Sequence, residues 1–411
     1  MLVSLPLVLM LFGVVTLLFP KLEKRLCLVG VILCLAGLFL VEEGSCEVVG
    51  AYNKALGIEL CILENHKDLI FTVGLLFIHF LFSSKSRPSV ALFLFASVLG
   101  IFLSHDLFNI YVWFEILLVC SFVMPIFGKY SPKAIFKYSI ASLIGSLTFL
   151  VGIALVYKHT GYLNLSKVSE HISYLPQLEI GLFFIFVALG LKAGLVPFHF
   201  WLGASYHKFD LDILPLFFAI LTKMGVYTLA KIFSFLEAEN FILLQGVGIF
   251  LSSVSLVSGF LLSYFEKNLS RSFALFAISK SGFLVLAALI ARLNPMVYYL
   301  AFDAVFTYFL TYVILKEKNI HTFTGIFLML GWLGFPVSGF FLAALWILFD
   351  TQLNGILFSF FVFHKLTAIA FIVNLAANVK TDQKLSLTDK IFAFGVTILL
   401  TIRTSYALLH Y

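Results

Sequence analysis

The sequence contains the run Ile180-Gly-Leu-Phe-Phe-Ile-Phe-Val-Ala-Leu-Gly190-Leu-Lys192-Ala-Gly-Leu-Val-Pro197-Phe-His199-Phe200. The run is about as long as the roughly 20 apolar residues that span a bilayer, and only a helix satisfies its own backbone polar groups in lipid at that length. Lys192 places a charge inside the run, and Pro197 lacks a backbone N–H. We therefore expect a membrane helix that holds a buried amine and breaks near the proline.

The composition of the whole chain agrees with a membrane protein. Of its 411 residues, 62% are hydrophobic and 12% are charged, whereas a soluble domain is about half apolar and a quarter charged. The mean hydropathy is +1.08. These values exclude a soluble enzyme, a nucleic-acid-binding protein and a disordered chain.

Fourteen apolar segments follow one another along the chain. They lack the alternation, over about ten residues, that marks an outer-membrane strand. We therefore predict an all-α integral membrane protein with about 14 transmembrane helices. The segments lie at about 2–19, 26–41, 69–82, 89–103, 107–127, 134–157, 180–200, 211–233, 241–265, 272–291, 296–315, 323–348, 356–376 and 391–409.

The loops between these segments differ in charge. Sixteen of the 27 lysines and arginines lie in or beside odd-numbered loops, and six, Lys231 among them, are assigned to even-numbered loops. Because cytoplasmic loops carry the excess of basic residues, we expect the odd loops in the cytoplasm and both termini outside. The longest hydrophilic stretch, 42–68, is then external, where Cys46 and Cys61 can form a disulfide.

Seven ionisable residues lie within or beside apolar segments, where a charge costs about 2.5–3.5 kcal/mol on insertion scales. Burial favours the neutral form of a lysine, and a neighbouring carboxylate favours the charged form. A row of such groups across a bundle can therefore pass protons along; a static buried ion pair is the alternative for the acid and first amine. The candidate relay consists of Glu115, Lys192, His199, Lys223, Lys280, Asp303 and Lys365.

Proline and glycine predict two helix breaks, at Pro197 in the seventh segment and at Gly334 and Pro336 in the twelfth. Broken helices at matching positions of two halves are typical of inverted-repeat transporters, although ordinary proline kinks would use the same residues. We predict one membrane domain with two inverted five-helix repeats, helices 4–8 and 9–13. Its parts are 1–88 with helices 1–3, the first repeat at 89–233, a degenerate second repeat at 241–376 and the last helix at 391–411.

Three stretches of the chain resemble one family of membrane subunits. They are Lys192-Ala-Gly-Leu-Val-Pro197-Phe-His199-Phe-Trp201-Leu202 with the following Lys223-Met-Gly225-Val-Tyr227, Asp106-Leu-Phe-Asn-Ile-Tyr111-Val-Trp-Phe-Glu115, and Arg271-Ser-Phe-Ala-Leu-Phe-Ala-Ile-Ser279-Lys280-Ser-Gly282. The family comprises the antiporter-like subunits of NADH:quinone oxidoreductase, membrane-bound hydrogenases, related archaeal ferredoxin-driven complexes and Mrp-type cation/proton antiporters. The resemblance implies fourteen helices, with the seventh and twelfth broken, and a proton path through Glu115, Lys192 and Lys223.

The second repeat departs from the family pattern. The eleventh helix has Asp303 and Thr307 where the family has His and Lys, and the stretch Phe340-Phe-Leu-Ala-Ala344-Leu lacks the family's ionisable residue. The chain has Lys280 and Lys365 in addition. Either Asp303 pairs with a lysine in a rewired second path, or that path is inactive and these charges are structural.

The resemblance implies an ion-translocating subunit of a redox-driven complex in a prokaryotic plasma membrane. We expect it to move protons or sodium ions within the lipid bilayer, beside other antiporter-like and membrane subunits and a peripheral redox arm with iron–sulfur subunits. Because the sequence has no haem, iron–sulfur or nucleotide motif, we expect no cofactor, metal or redox centre in this chain. An Mrp-type sodium/proton antiporter subunit and a non-conducting scaffold are the alternatives.

Overall fold

A computed structural model of the protein describes residues 2, 4–49, 57–128, 130–171, 176–236, 241–316, 339–351 and 355–378. Helices dominate this part of the chain, and one short hairpin connects the second and third. The elements are α1 (Ser4–Leu18), α2 (Glu23–Phe39), β1 (Cys46–Val48), β2 (Glu59–Cys61), α3 (His66–Ser83), α4 (Pro88–Leu103), α5 (Leu107–Ile126), α6 (Pro132–Thr160), α7 (Leu165–Glu170), α8 (Pro176–Ala193), α9 (Phe200–Ser205), α10 (Leu214–Phe235), α11 (Ile242–Phe265), α12 (Leu269–Ile290), α13 (Leu293–Leu315), α14 (Gly339–Asp350) and α15 (Gly355–Asn378).

The helices agree with the predicted membrane segments. Within the described residues, seven are long and apolar enough to cross a membrane, and three further apolar helices are shorter. Each of the first thirteen predicted segments holds a helix over at least part of its length. The fourteenth segment, 391–409, lies outside the described residues.

The loops gather at two ends of the bundle as the segment count requires. Arg87, before α4, lies 3.7 Å from Glu23, at the start of α2, so the first and third loops meet. Asn164, before α7, donates to Glu59 of β2 at 2.7 Å, so the second and sixth loops meet. We call these the odd end and the even end of the bundle.

The hairpin at the even end is closed by a disulfide. Strands β1 and β2 pair antiparallel with Cys46 opposite Cys61, and the two cysteines are bonded, as the sequence allowed. Leu60 of β2 also pairs with Ser104 after α4. The hairpin is therefore held against the turn between α4 and α5.

Local signals set several helix ends. Pro88 and Pro132 occupy the first turns of α4 and α6, where a missing N–H costs nothing. Asp106 caps α5 by accepting from the backbone of Asn109 at 2.8 Å, and Asn268 caps α12 in the same way. Such caps satisfy backbone donors that a helix start leaves unpaired.

Glycine allows two of the central helices to pack with their backbones in contact. A Cβ on Gly282 of α12 would lie 2.6 Å from the backbone nitrogen of Leu256 in α11. Small residues at such crossings are typical of membrane bundles, because close packing replaces the hydrophobic drive that lipid does not supply.

Helices α10, α12 and α13 form the centre of the bundle. Every residue in the most apolar 18-residue stretch of α10 and of α13 is buried, and 83% of that stretch in α12. On outer helices large apolar side chains are exposed, such as Phe136 at 65% and Phe250 at 64%. An apolar exterior of this kind suits a lipid environment, and any charge on the three central helices is enclosed by protein.

Candidate functional site

Three charged side chains meet at the centre of the bundle. One carboxylate oxygen of Asp303, in α13, lies 2.5 Å from the ammonium nitrogen of Lys280 in α12. The other oxygen lies 3.1 Å from the ammonium nitrogen of Lys223 in α10. Asp303 is completely buried, and both lysines are less than 10% exposed. One acid therefore serves two amines from two other helices.

Backbone geometry positions Lys223. Helix α10 contains a π-helical turn at Phe217–Leu221, immediately before this lysine, and such turns occur often at functional sites. The ammonium of Lys223 donates to the carbonyl oxygen of Phe218 at 2.5 Å. The lysine thus has a neutral acceptor in addition to Asp303, which lowers the cost of burying its charge.

A hydroxyl completes the surroundings of Lys280. Its ammonium group donates to Oγ1 of Thr307, one turn along α13 from Asp303, at 2.5 Å. Position 307 is one at which the family resemblance led us to expect a charged residue. The threonine instead provides an uncharged partner for the lysine, and the aspartate provides the charge.

Helix α15 extends the set of amines beyond Lys280. Lys365 lies with its ammonium nitrogen 5.3 Å from the ring centre of Phe361, and it interacts electrostatically with Asp303. The neighbouring His364 is 3% exposed and stacks on Phe283 of α12 at 4.6 Å between ring centres.

Lys192 occupies the last turn of α8, at the helix break. Gly194 has a left-handed φ of 82°, and the backbone N–H of Leu195 donates to the carbonyl of Gly190 at 2.8 Å. This glycine-terminated ending closes the helix, so Pro197 follows the break and does not cause it. The negative end of the helix dipole there favours a cation such as Lys192.

The side chain of Lys192 contacts neutral groups. Its ammonium nitrogen donates to Ser146 of α6 at 3.3 Å and lies 4.7 Å from the ring centre of Phe114. Among the described residues, Glu115 and Lys192 form no ion pair, although they interact electrostatically. The static pair considered from the sequence is therefore not the arrangement found.

The remaining predicted residues lie elsewhere. His199, between α8 and α9, lines a separate cavity at the odd end with Phe265, Glu266 and Arg271; its volume is about 490 Å³. The predicted break at Gly334 and Pro336 lies outside the described residues. The structure thus joins Lys223, Lys280 and Asp303 directly, whereas His199 does not contact them.

A family match covers most of this architecture. Residues 104–379 match the family described as NADH:quinone oxidoreductase/Mrp antiporter, transmembrane. The chain belongs to this family. A Na(+)/H(+) antiporter subunit of Bacillus subtilis (strain 168) is 30% identical over 276 residues, which are 60% of this chain and 56% of that relative. The alignment therefore spans little more than half of the relative's length.

Solved structures share the fold across almost the whole chain. A chain of the membrane-bound sulfane sulfur reductase, an archaeal respiratory membrane complex, superposes with a TM-score of 0.85 at 19% identity and covers 100% of this chain and 94% of that one. A chain of the Mrp complex from Dietzia sp. DQ12-45-1b gives 0.82 at 18% identity, covering 99% and 95%. These similarities confirm the predicted helical antiporter-like fold.

One buried lysine of this antiporter-family chain was assigned wrongly from the sequence. Lys231 was counted with the even loops, but it is completely buried in α10. Its ammonium group donates to the carbonyl oxygens of Phe102 at 2.9 Å and Ser104 at 2.6 Å. Lys223, Tyr227 and Lys231 are four residues apart and share one helix face, which is the signal that could have identified it.

Proposed function

We propose that this chain is the ion-translocating subunit of a multisubunit membrane complex driven by redox chemistry in other subunits. Protons would move along a row formed by Glu115, Lys192, Lys223, Asp303 and Lys280, with Lys365 at its far end. The observation that carries the proposal is the contact of one buried carboxylate with two buried amines. Ionisable residues at such depth are expensive and are therefore expected to serve function.

The shared carboxylate gives the row a switch. A proton that reaches Lys192 raises the cost of a second ammonium at Lys223, because like charges repel strongly in a poorly solvated interior. Asp303 can then accept the proton from Lys223, or stabilise the ammonium at Lys280 while Lys223 becomes neutral. Either event moves positive charge from α10 towards α12.

The same contact supports the rewired form of the second path. Lys223 belongs to the eighth predicted segment and Asp303 to the eleventh, so their pairing would join the first repeat, 89–233, to the second, 241–376. In this proposal the two are inverted five-helix repeats, helices 4–8 and 9–13, and His199 acts as a peripheral group near the first break.

The setting of the subunit follows from the charge pattern and the relatives. We propose a prokaryotic plasma membrane, with the basic odd end in the cytoplasm and both termini outside. Other antiporter-like and membrane subunits would be its direct partners. A peripheral arm with iron–sulfur subunits would supply the energy indirectly, and the chain itself would bind no cofactor.

The experiment that tests the function replaces Lys192. In the intact complex reconstituted in vesicles, K192A is expected to abolish coupled proton translocation while the complex still assembles. Lys158, exposed at the even end of α6, provides the control K158A, which is expected to pump normally. Normal pumping by K192A would remove the relay assignment.

A second candidate function is sodium/proton exchange without redox partners, and the name of the Bacillus subtilis relative favours it. The subunit composition after purification distinguishes the two. Iron–sulfur subunits would support the redox-driven complex, and their absence together with sodium-dependent proton movement would support the exchanger. Unchanged transport after E115Q, K192M and K223M combined would instead favour a non-conducting scaffold.

A further inference from the structure

Three hydroxyl side chains form a line along one face of α6. Tyr138, Ser142 and Ser146 are spaced four residues apart, which places them one above another on a helix. All three are no more than 6% exposed, although the helix also presents apolar side chains to the exterior. The line covers about 12 Å at 1.5 Å per residue, and Tyr138 is about 9 Å from the odd end of α6.

The upper end of this line reaches Lys192. Ser146 accepts from its ammonium group at 3.3 Å. Towards the odd end, Tyr138 donates to Ser121 of α5 at 2.8 Å and lies close enough to Ser142 to interact with its hydroxyl. Polar atoms therefore continue from the end of the row of amines towards the odd-end surface.

A cavity lies along the same line. It has a volume of about 30 Å³ and is lined by Ser121, Tyr138, Ser142, Lys192 and Tyr206, together with apolar side chains. A polar cavity of that size accommodates about two water molecules. Water there would bridge the hydroxyl groups to the amine.

We propose that Tyr138, Ser142 and Ser146 form a proton-conducting hydroxyl ladder that supplies Lys192 from the odd end. The inference rests on the proposed function. In each step a hydroxyl or water oxygen accepts a proton from the group below as its own proton passes to the group above, so one proton is delivered and no redox partner is needed. Rotation of the Tyr138 hydroxyl from Ser121 to Ser142 connects the ladder.

The lining of the cavity favours a proton over a sodium ion. Hard cations prefer carboxylate and carbonyl oxygens, and the cavity's described lining consists of hydroxyls, apolar groups and one amine. Charged Lys192 would repel a metal ion, whereas a neutral amine is the natural acceptor for a proton. The ladder therefore assigns proton transport to this half of the path.

The test removes the hydroxyl groups and leaves Lys192 in place. In the intact reconstituted complex, Y138F/S142A/S146A is expected to lower proton translocation about 10- to 100-fold, the scale on which a positioned proton carrier acts. The control S139A removes a hydroxyl that donates to Ile135 on the same helix, and it is expected to pump normally. S142T, which keeps a hydroxyl, is expected to retain most of the activity.

The outcomes separate the ladder from the proposed function. If the triple variant pumps as well as S139A while K192A is inactive, the ladder is wrong and the function stands. If K192A pumps normally, the function fails first.

Thiol labelling provides a measurement that does not depend on pumping. In a background without the free cysteines at 27, 34 and 120, S142C is expected to react with a small, water-soluble methanethiosulfonate faster than S139C. Labelling of S142C no faster than S139C would overturn the water access that the ladder requires.

Discussion

The ammonium nitrogen of Lys280 lies 2.5 Å from a carboxylate oxygen of Asp303, in the interior of the helix bundle. The two residues belong to adjacent helices in the chain, α12 and α13, and are 23 positions apart. Because Lys223 contacts the other oxygen of the same carboxylate, the three charges form one unit. Removing the single acid should therefore affect both lysines.

The first prediction concerns that acid. D303N leaves two buried amines without a counter-charge, and breaking a buried pair in this way costs about 3–5 kcal/mol. We expect a clearly lower thermal unfolding temperature of the purified complex and loss of translocation. The double variant K280Q/D303N should regain part of the stability because it removes one excess cation. A D303N complex as stable as the unaltered one would contradict the charged assignment.

The second prediction separates a structural lysine from the row. K231M removes the donor to two buried carbonyl oxygens, and each unsatisfied acceptor costs about 1–3 kcal/mol. We expect less assembled complex, but unchanged proton translocation per assembled complex, because the described hydrogen bonds of Lys231 are to backbone. K231R should restore assembly. Reduced transport per complex in K231M would instead include this lysine in the path.

The third prediction concerns the glycine that ends α8. G194A forces a side chain into a left-handed backbone conformation, which costs about 1–2 kcal/mol, and it should displace Lys192 two residues away. We expect lower stability together with lower translocation. Gly161 has a similar φ of 76° and open space around it, so G161A should lose comparable stability but pump normally. Equal pumping by both variants would show that the shape of the break does not matter.

The fourth prediction concerns helix packing at the core. G282A places a Cβ against the backbone of α11, and overpacking of this kind typically costs about 1–3 kcal/mol. We expect poor assembly, as measured by the yield of intact complex. G246A lies on α11 where a Cβ meets nothing within 4 Å, so it should be tolerated and even stabilising by about 0.5–1 kcal/mol. Similar yields from both would contradict the close α11–α12 crossing.

Much of the fold could be predicted because lipid imposes a simple rule on sequence. Each span must be apolar over its length and helical, so the thirteen segments within the described part of the chain were visible from hydropathy alone. Charge at the loops then assigned them to two ends. The position of Lys231 could not be read in this way, because a lysine near a helix end looks the same whether it extends to solvent or turns inward.

The candidate site was predictable only as a set of residues. The expense of a charge in an apolar segment identified Glu115, Lys192, Lys223, Lys280, Asp303 and Lys365. The sequence left open whether Glu115 pairs with Lys192 and whether Asp303 pairs with any lysine. Those pairings depend on which helices are neighbours and how each is rotated, and residues far apart in the chain carry no local signal of either.

The amino-acid sequence by itself determined that this chain is a bundle of membrane helices with buried amines and acids, because the bilayer selects composition and length directly. Only the tertiary structure decided that Asp303 serves both Lys223 and Lys280, that Lys192 contacts Ser146, and that Gly194 ends the broken helix ahead of Pro197. Electrostatic and hydrogen-bond energies act over a few ångströms, so the choice of partner is made by helix packing.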